Sequence, residues 1–108
     1  MSTTTAALNT LFDRIPRRHT LENVQEINSI IGEYEDLLVS IEGLNNYFEK
    51  SLPVFFDDLE TVRLHVKKST DNKASKKLKD QFFDQASGDL KDSMQALITL
   101  YSEGIKLS

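Results

Sequence analysis

Apolar residues keep one unbroken three-four spacing from Val24 to Val66. Counted in heptads, Val24, Ile31, Leu38, Asn45, Leu52, Leu59 and Val66 share one seam position, and Ile27, Tyr34, Ile41, Phe48, Phe55 and Val62 share the other. A stripe of this period holds one helix face against a partner helix along its length, the pattern of a coiled coil or a bundle rod. Asn45 is its polar member. A lone Asn in a seam sets register or partner choice at some cost in stability; the alternative is a rim position hydrogen-bonded to water or backbone.

The stripe predicts one long heptad helix over residues 20–68, capped by Thr20 and opened by Leu21. Pro53 lies inside it, where proline removes a hydrogen bond and crowds the preceding turn. Because the heptad phase passes through Pro53 without a skip, a kinked continuous rod is favoured over a break into a helical hairpin. Ahead of it, Leu8, Leu11, Phe12 and Ile15 on helical spacing predict a short helix that stops before Ile15-Pro16, within an N-terminal helix and arm over residues 1–19. A lysine-rich loop is expected over 69–77. A C-terminal amphipathic helix follows over 78–108, with Phe83, Leu90 and Leu97 recurring every seven residues and Phe82, Met94 and Tyr101 widening the stripe. Its small residues Ala86, Ser87, Gly88 and Ser93 allow a neighbouring helix to come close. The expected fold is all-α, a helical bundle or coiled-coil hairpin.

Composition agrees with this and removes alternatives. A chain of 108 residues is one domain with a modest core, and its 4 Gly and 2 Pro disfavour a turn-rich β fold. The absence of cysteine rules out disulfides and thiolate chemistry and suits a reducing compartment. Without an 18-residue apolar run or a secretory signal pattern, an intracellular, cytoplasmic protein is expected.

Charge is segregated. Residues 21–60 carry ten acids against Lys50, and residues 61–79 carry seven bases against Asp71. The acids (Glu22, Glu26, Glu33, Glu35, Asp36, Glu42, Glu49, Asp57, Asp58 and Glu60) form either a solvated exterior or a face for a basic partner. Lys67, Lys68, Lys73, Lys76, Lys77 and Lys79 read first as a solvated loop that cancels nearby acids. With no aromatic residue among them they lack a base-stacking platform, so no nucleic acid is expected, and membrane contact is the lesser expectation.

Catalytic chemistry finds little footing. His19 and His65 belong to different elements and to no metal-binding spacing, and Asp57-Asp58 point to two sides of a helix. There is no Gly-rich phosphate loop or nucleophile motif. Neither an enzyme, a metal nor a cofactor is expected.

Residues 41–66, containing Ile-Glu-Gly-Leu-Asn-Asn-Tyr-Phe-Glu-Lys-Ser-Leu-Pro-Val-Phe-Phe-Asp-Asp-Leu-Glu-Thr-Val, resemble the central helix of small coiled-coil subunits of eukaryotic hetero-oligomeric assemblies. The BLOC-1 type shares the Leu-Asn stretch followed by a Leu-Pro step, and the DASH kinetochore type shares the Ile-x-x-Leu-Asn pattern. The resemblance spans about a quarter of the chain. It implies a structural subunit whose partners are other helical subunits.

The leading expectation is therefore a non-enzymatic subunit of a multi-protein complex. Its partner-binding residues would be Val24, Ile27, Ile31, Tyr34, Leu38, Ile41, Asn45, Phe48, Leu52, Phe55, Leu59 and Val62. The alternative is a self-contained three- or four-helix adaptor, chaperone-like or immunity-type, that binds one protein through its acidic face.

Overall fold

A computed structural model describes residues 3–106. Residues 1, 2, 107 and 108, the extremes of the expected N-terminal arm and C-terminal helix, lie outside the described residues. The chain is an all-α helical bundle, and the described residues contain no strand. Its helices are α1 (Thr3–Arg14), α2 (Leu21–Glu42), α3 (Asn46–Ser51), α4 (Pro53–Ser69) and α5 (Lys76–Ile105).

α1 stops just ahead of Ile15-Pro16, where the residue before proline is pushed out of helical geometry. Thr20 then opens α2: its extended backbone is free of the helix while its hydroxyl accepts a 3.0 Å bond from the Asn23 N–H.

The single long helix expected over residues 20–68 is corrected. The chain leaves the helix at residues 43–45 and returns, so α2 and α4 pack against each other as arms of a hairpin. Local chemistry accounts for the turn. Gly43 is a poor helix former, and Asn45 adopts an extended backbone (φ −164°, ψ 174°) whose side chain accepts the Phe48 N–H at 3.0 Å. Asn45 is thus the N-cap of α3 and not a seam residue. The unbroken heptad phase misled because it records which residues are apolar and not which way the chain runs. A stripe folded back on itself buries the same side chains against one shared core.

Pro53 causes no such break. It is the first residue of α4, where the missing N–H has no partner to lose. Leu52 bridges α3 and α4: its N–H donates to the Phe48 carbonyl at 2.9 Å, and its own carbonyl accepts the Phe55 N–H at 2.9 Å. The lysine-rich loop is also shorter than expected. Ser69 belongs to α4, and Ser75 caps α5 by accepting the Leu78 N–H, which places Lys76 and Lys77 inside the first turn of α5.

α4 and α5 form the most extensive helix pair, α2 packs on α4, and α1 lies against both α2 and α5. Small residues on α5 permit these approaches. Ala86 is fully buried, the Ser87 hydroxyl donates to the Pro16 carbonyl at 2.9 Å, and Ser93 Oγ lies 2.9 Å from the Tyr34 hydroxyl. The molecule measures 48 × 24 × 17 Å, its long axis close to the ~45 Å length of a 30-residue helix. His19 meets Asp80 at one end and Asn45 reaches Gly104 at the other, so α2 and α5 run the same way and α4 runs against them.

Candidate functional site

The residues that the sequence assigned to partner contact form the chain's own core. Eleven of the twelve are between 0 and 8% exposed, and the exception is the cap Asn45. Tyr34, Leu38, Ile41 and Phe48 are at 0%. Burial pushes the Tyr34 phenol well above its ordinary value, against a smaller opposing effect of its Ser93 bond. Ile30, also fully buried, lies outside the two seams. With Ile30 and Ile31 both inside, the buried face of α2 is wider than one seam, as suits a helix touching both α1 and α4.

With the seam buried, the surface divides into two ends of opposite charge. One end gathers the turn at 43–45, α3, the start of α4 and the ends of α2 and α5. Glu42, Glu49 and Asp57 lie there, with Lys50 of α3 and Lys106 at the α5 cap. Asp36 lies instead beside Thr10 and Arg14 of α1, and Asp58 beside Asp89 and Ser93 at the middle of α5. No ion pair among the described residues involves Asp36, Glu42, Glu49, Asp57, Asp58 or Glu60. α2 has no basic residue in its last turn, so its negative dipole end adds to the field, whereas α5 is capped by Lys106. Val39, Leu44 and Val54 stand 57%, 52% and 57% exposed at this end. A cleft of about 450 Å³ opens between the end of α2 and α3, lined by Glu42, Gly43, Asn45, Asn46 and Glu49.

Of the other acids of the expected face, Glu26, Glu33 and Glu35 are paired across helices, and no ion pair among the described residues involves Glu22 in the first turn of α2. Arg14 donates to Glu26 at 2.7 Å and to Glu33 at 2.8 Å, and both bonds raise its pKa, that with Glu26 more. Arg63 holds Glu35 through two bonds of 3.1 and 3.2 Å, drawing that carboxyl below its ordinary range. These partners come from α1 and α4, beyond the reach of any spacing rule within α2.

The opposite end gathers the connector 15–20, the 70–75 loop and the first turn of α5. There Arg17, Arg18, His19, Lys76, Lys77, Asp80, Gln81 and Asp84 line a cleft of about 860 Å³. His19 anchors it, with Nδ1 2.7 Å from Asp80 Oδ1 and its ring stacked on Phe83 at 5.1 Å. Hydrogen bonds from His19 and, less strongly, Lys76 hold the Asp80 carboxyl below its ordinary value. Nothing in the sequence signals that Arg17 and Arg18 would lie beside Lys76 and Lys77, some sixty residues later.

His65 sits at the α4–α5 rim, its Nδ1 3.5 Å from Asp89 Oδ2, a distance and geometry short of a formed hydrogen bond. Among the described residues no group of three or more His, Cys, Asp or Glu is placed to hold a metal ion. No helix among them is long and apolar enough to cross a membrane.

No protein-family model matches this chain, and comparison with curated proteins and with solved structures finds no match. Fold and surface define the class alone: an all-α helical bundle with charge of opposite sign at its two ends.

Proposed function

We propose that this chain is a non-enzymatic helical adaptor, a self-contained bundle that recognises a basic, apolar-bearing surface of a partner protein through its acidic end. The observation that carries this reading is that Glu42, Glu49 and Asp57, without ion pairs among the described residues, lie at the end where Val39, Leu44 and Val54 are exposed. Acids alone favour solvation, and scattered exposed apolar residues are ordinary. Together at one end, reinforced by the C-terminus of α2, they match an amphipathic partner with Lys or Arg beside its apolar residues.

The alternative, a subunit lending its seam to partner helices, requires the bundle to open, because Leu38, Ile41 and Phe48 have no exposed surface. Membership of a larger assembly then comes through a folded unit and not through one lent helix.

Two measurements test this. A self-contained adaptor melts cooperatively at a midpoint that does not move over a hundredfold range of concentration, whereas a seam-lending subunit gains helicity as concentration rises. In affinity capture from its own cells, Glu49→Lys with Asp57→Lys abolishes retention of a basic partner that Arg17→Glu with Arg18→Glu retains. Equal retention by both variants overturns the acidic end as the binding surface.

A further inference from the structure

The geometry points to a second binding surface at the opposite end: a docking site for an anionic phospholipid surface, with headgroup phosphates in the Arg17–Lys77 cleft. Three observations converge on it. The cleft joins two basic stretches far apart in sequence, Arg17-Arg18 on the connector and Lys76-Lys77 on α5, around about 860 Å³ of open space. Among the described residues no ion pair involves Arg17, Arg18 or Lys77, although Glu22 stands in the first turn of α2 and nine more acids lie further along the α2–α4 hairpin. The cleft is therefore not a device for cancelling the chain's own acids.

The placement of α5's lysines is also costly. Its first turn holds no acidic residue and carries Lys76, Lys77 and Lys79 on the positive end of a 30-residue helix, where anions are favoured and cations are not. Lys76 recovers part of this through its 3.2 Å pair with Asp80, but no ion pair among the described residues involves Lys77. A local rule broken without a structural gain marks a position kept for another role.

The third observation selects the kind of anion. Leu21 and Leu78, in the first turns of α2 and α5, are 76% and 42% exposed at this same end. Cations beside exposed leucines on a blunt tip suit an interface where headgroups take the charge and acyl chains take the apolar side chains. Nucleic acid offers the leucines nothing, and the rings at this end are engaged: Phe83 is buried under His19, and Phe82 stacks on His65 beneath Lys68. His19 and Asp80 serve as positioning residues that hold the connector against α5.

Co-sedimentation of the full chain with phosphatidylcholine vesicles, with and without phosphatidylserine, tests the site. Binding is expected only to the anionic vesicles, and it falls away at about 0.5 M salt, where screening shortens to a few ångströms. Each basic residue at an anionic surface is worth a factor of about five, so Arg17→Glu with Arg18→Glu weakens binding about thirtyfold or more. Leu21→Ser with Leu78→Ser weakens it severalfold at fixed salt. All four positions are exposed, and unchanged helicity and melting confirm that the fold is intact. The proposal is overturned if neutral and anionic vesicles bind alike or neither binds. It is also overturned if glycerophosphoserine or duplex DNA binds as well as the vesicles, or if the leucine pair has no effect. Glu49→Lys with Asp57→Lys leaves vesicle binding in place, so failure here and failure of the adaptor reading are separable.

Discussion

The two ends of the bundle differ in how they are closed as much as in charge. The acidic end is sealed by rings. Phe48 stacks on Tyr101 with centroids 5.7 Å apart, Tyr47 meets Phe48 edge-on at 5.5 Å, and the backbone of Gly104 lies directly against both Phe48 and Tyr47. The basic end is tied by polar links: His19 to Asp80, Asn23 Nδ2 to the Arg18 carbonyl at 2.8 Å, and Ser87 to the Pro16 carbonyl. Burial of apolar area changes little with moderate salt or acid, whereas a partly exposed pair such as His19–Asp80 responds to both. The acidic end is thus expected to follow the global fold, and the connector 15–20, held by these polar links beside buried Ile15 and the His19–Phe83 stack, to respond first to acid.

The largest test of that contrast is Phe48→Ala. Removing a fully buried ring should cost about 3–5 kcal/mol, a large share of a small domain's stability, and denaturant unfolding should show one cooperative transition moved as a whole. A local loss at α3 with the midpoint unchanged would break the comparison.

Gly104→Ala comes next. A Cβ there would overlap the Phe48 ring and stand 2.7 Å from Tyr47 Cδ2. Overpacking of about 1–3 kcal/mol outweighs the ~1 kcal/mol that alanine gains in helix propensity, so thermal melting should show net destabilisation. The same change at Gly88, where a Cβ meets nothing within 4 Å, should stabilise by up to about 1 kcal/mol.

Asn45→Leu is expected to cost about 1 kcal/mol through loss of the α3 cap, and Asn45→Asp much less. A seam residue would behave in the opposite sense, gaining stability on becoming Leu.

The smallest effect belongs to the basic end and appears in acid. The Asp80 carboxyl is held below its ordinary value of 3.8 by His19 first and Lys76 second. Its stabilisation is therefore whole above pH 3.8 and fades as pH falls through the lower folded-state value. Hydrogen exchange should show residues 15–20 loosening in that window before the core unfolds, and Asp80→Asn should show the same loosening at neutral pH. Simultaneous loss of both ends would erase the distinction between them.

Several features were open to reading from residue order. The 3.6-residue period over Val24–Val66 and Phe83–Tyr101 states that the chain is helical with a continuous apolar face, because period alone fixes which side chains share a side. Ile15-Pro16 marks the end of α1 for a steric reason carried by the dipeptide itself. The division of acids from lysines is likewise plain in the order of residues.

Direction and proximity were not open in this way. Gly43 and Asn45 carried the signal for the turn, yet the uninterrupted phase pointed to a rod, since a folded stripe and a straight one have the same period. Burial of the seam within one chain depends on α5 and α1 covering it, and no local rule reports that. The pairing of Arg14 with Glu26 and Glu33, and of His19 with Asp80, joins elements whose approach is set by core packing.

The sequence by itself determined that this protein is all-helical, that its apolar residues form continuous faces, and that its charges are sorted by sign, because these are properties of periodicity and order. Only the tertiary structure decided that the stripe closes upon itself, that Asn45 caps a helix, and that Arg17-Arg18 and Lys76-Lys77 share one cleft. Those outcomes depend on which distant segments share a core, and apolar burial, being non-directional, selects that from the whole chain at once.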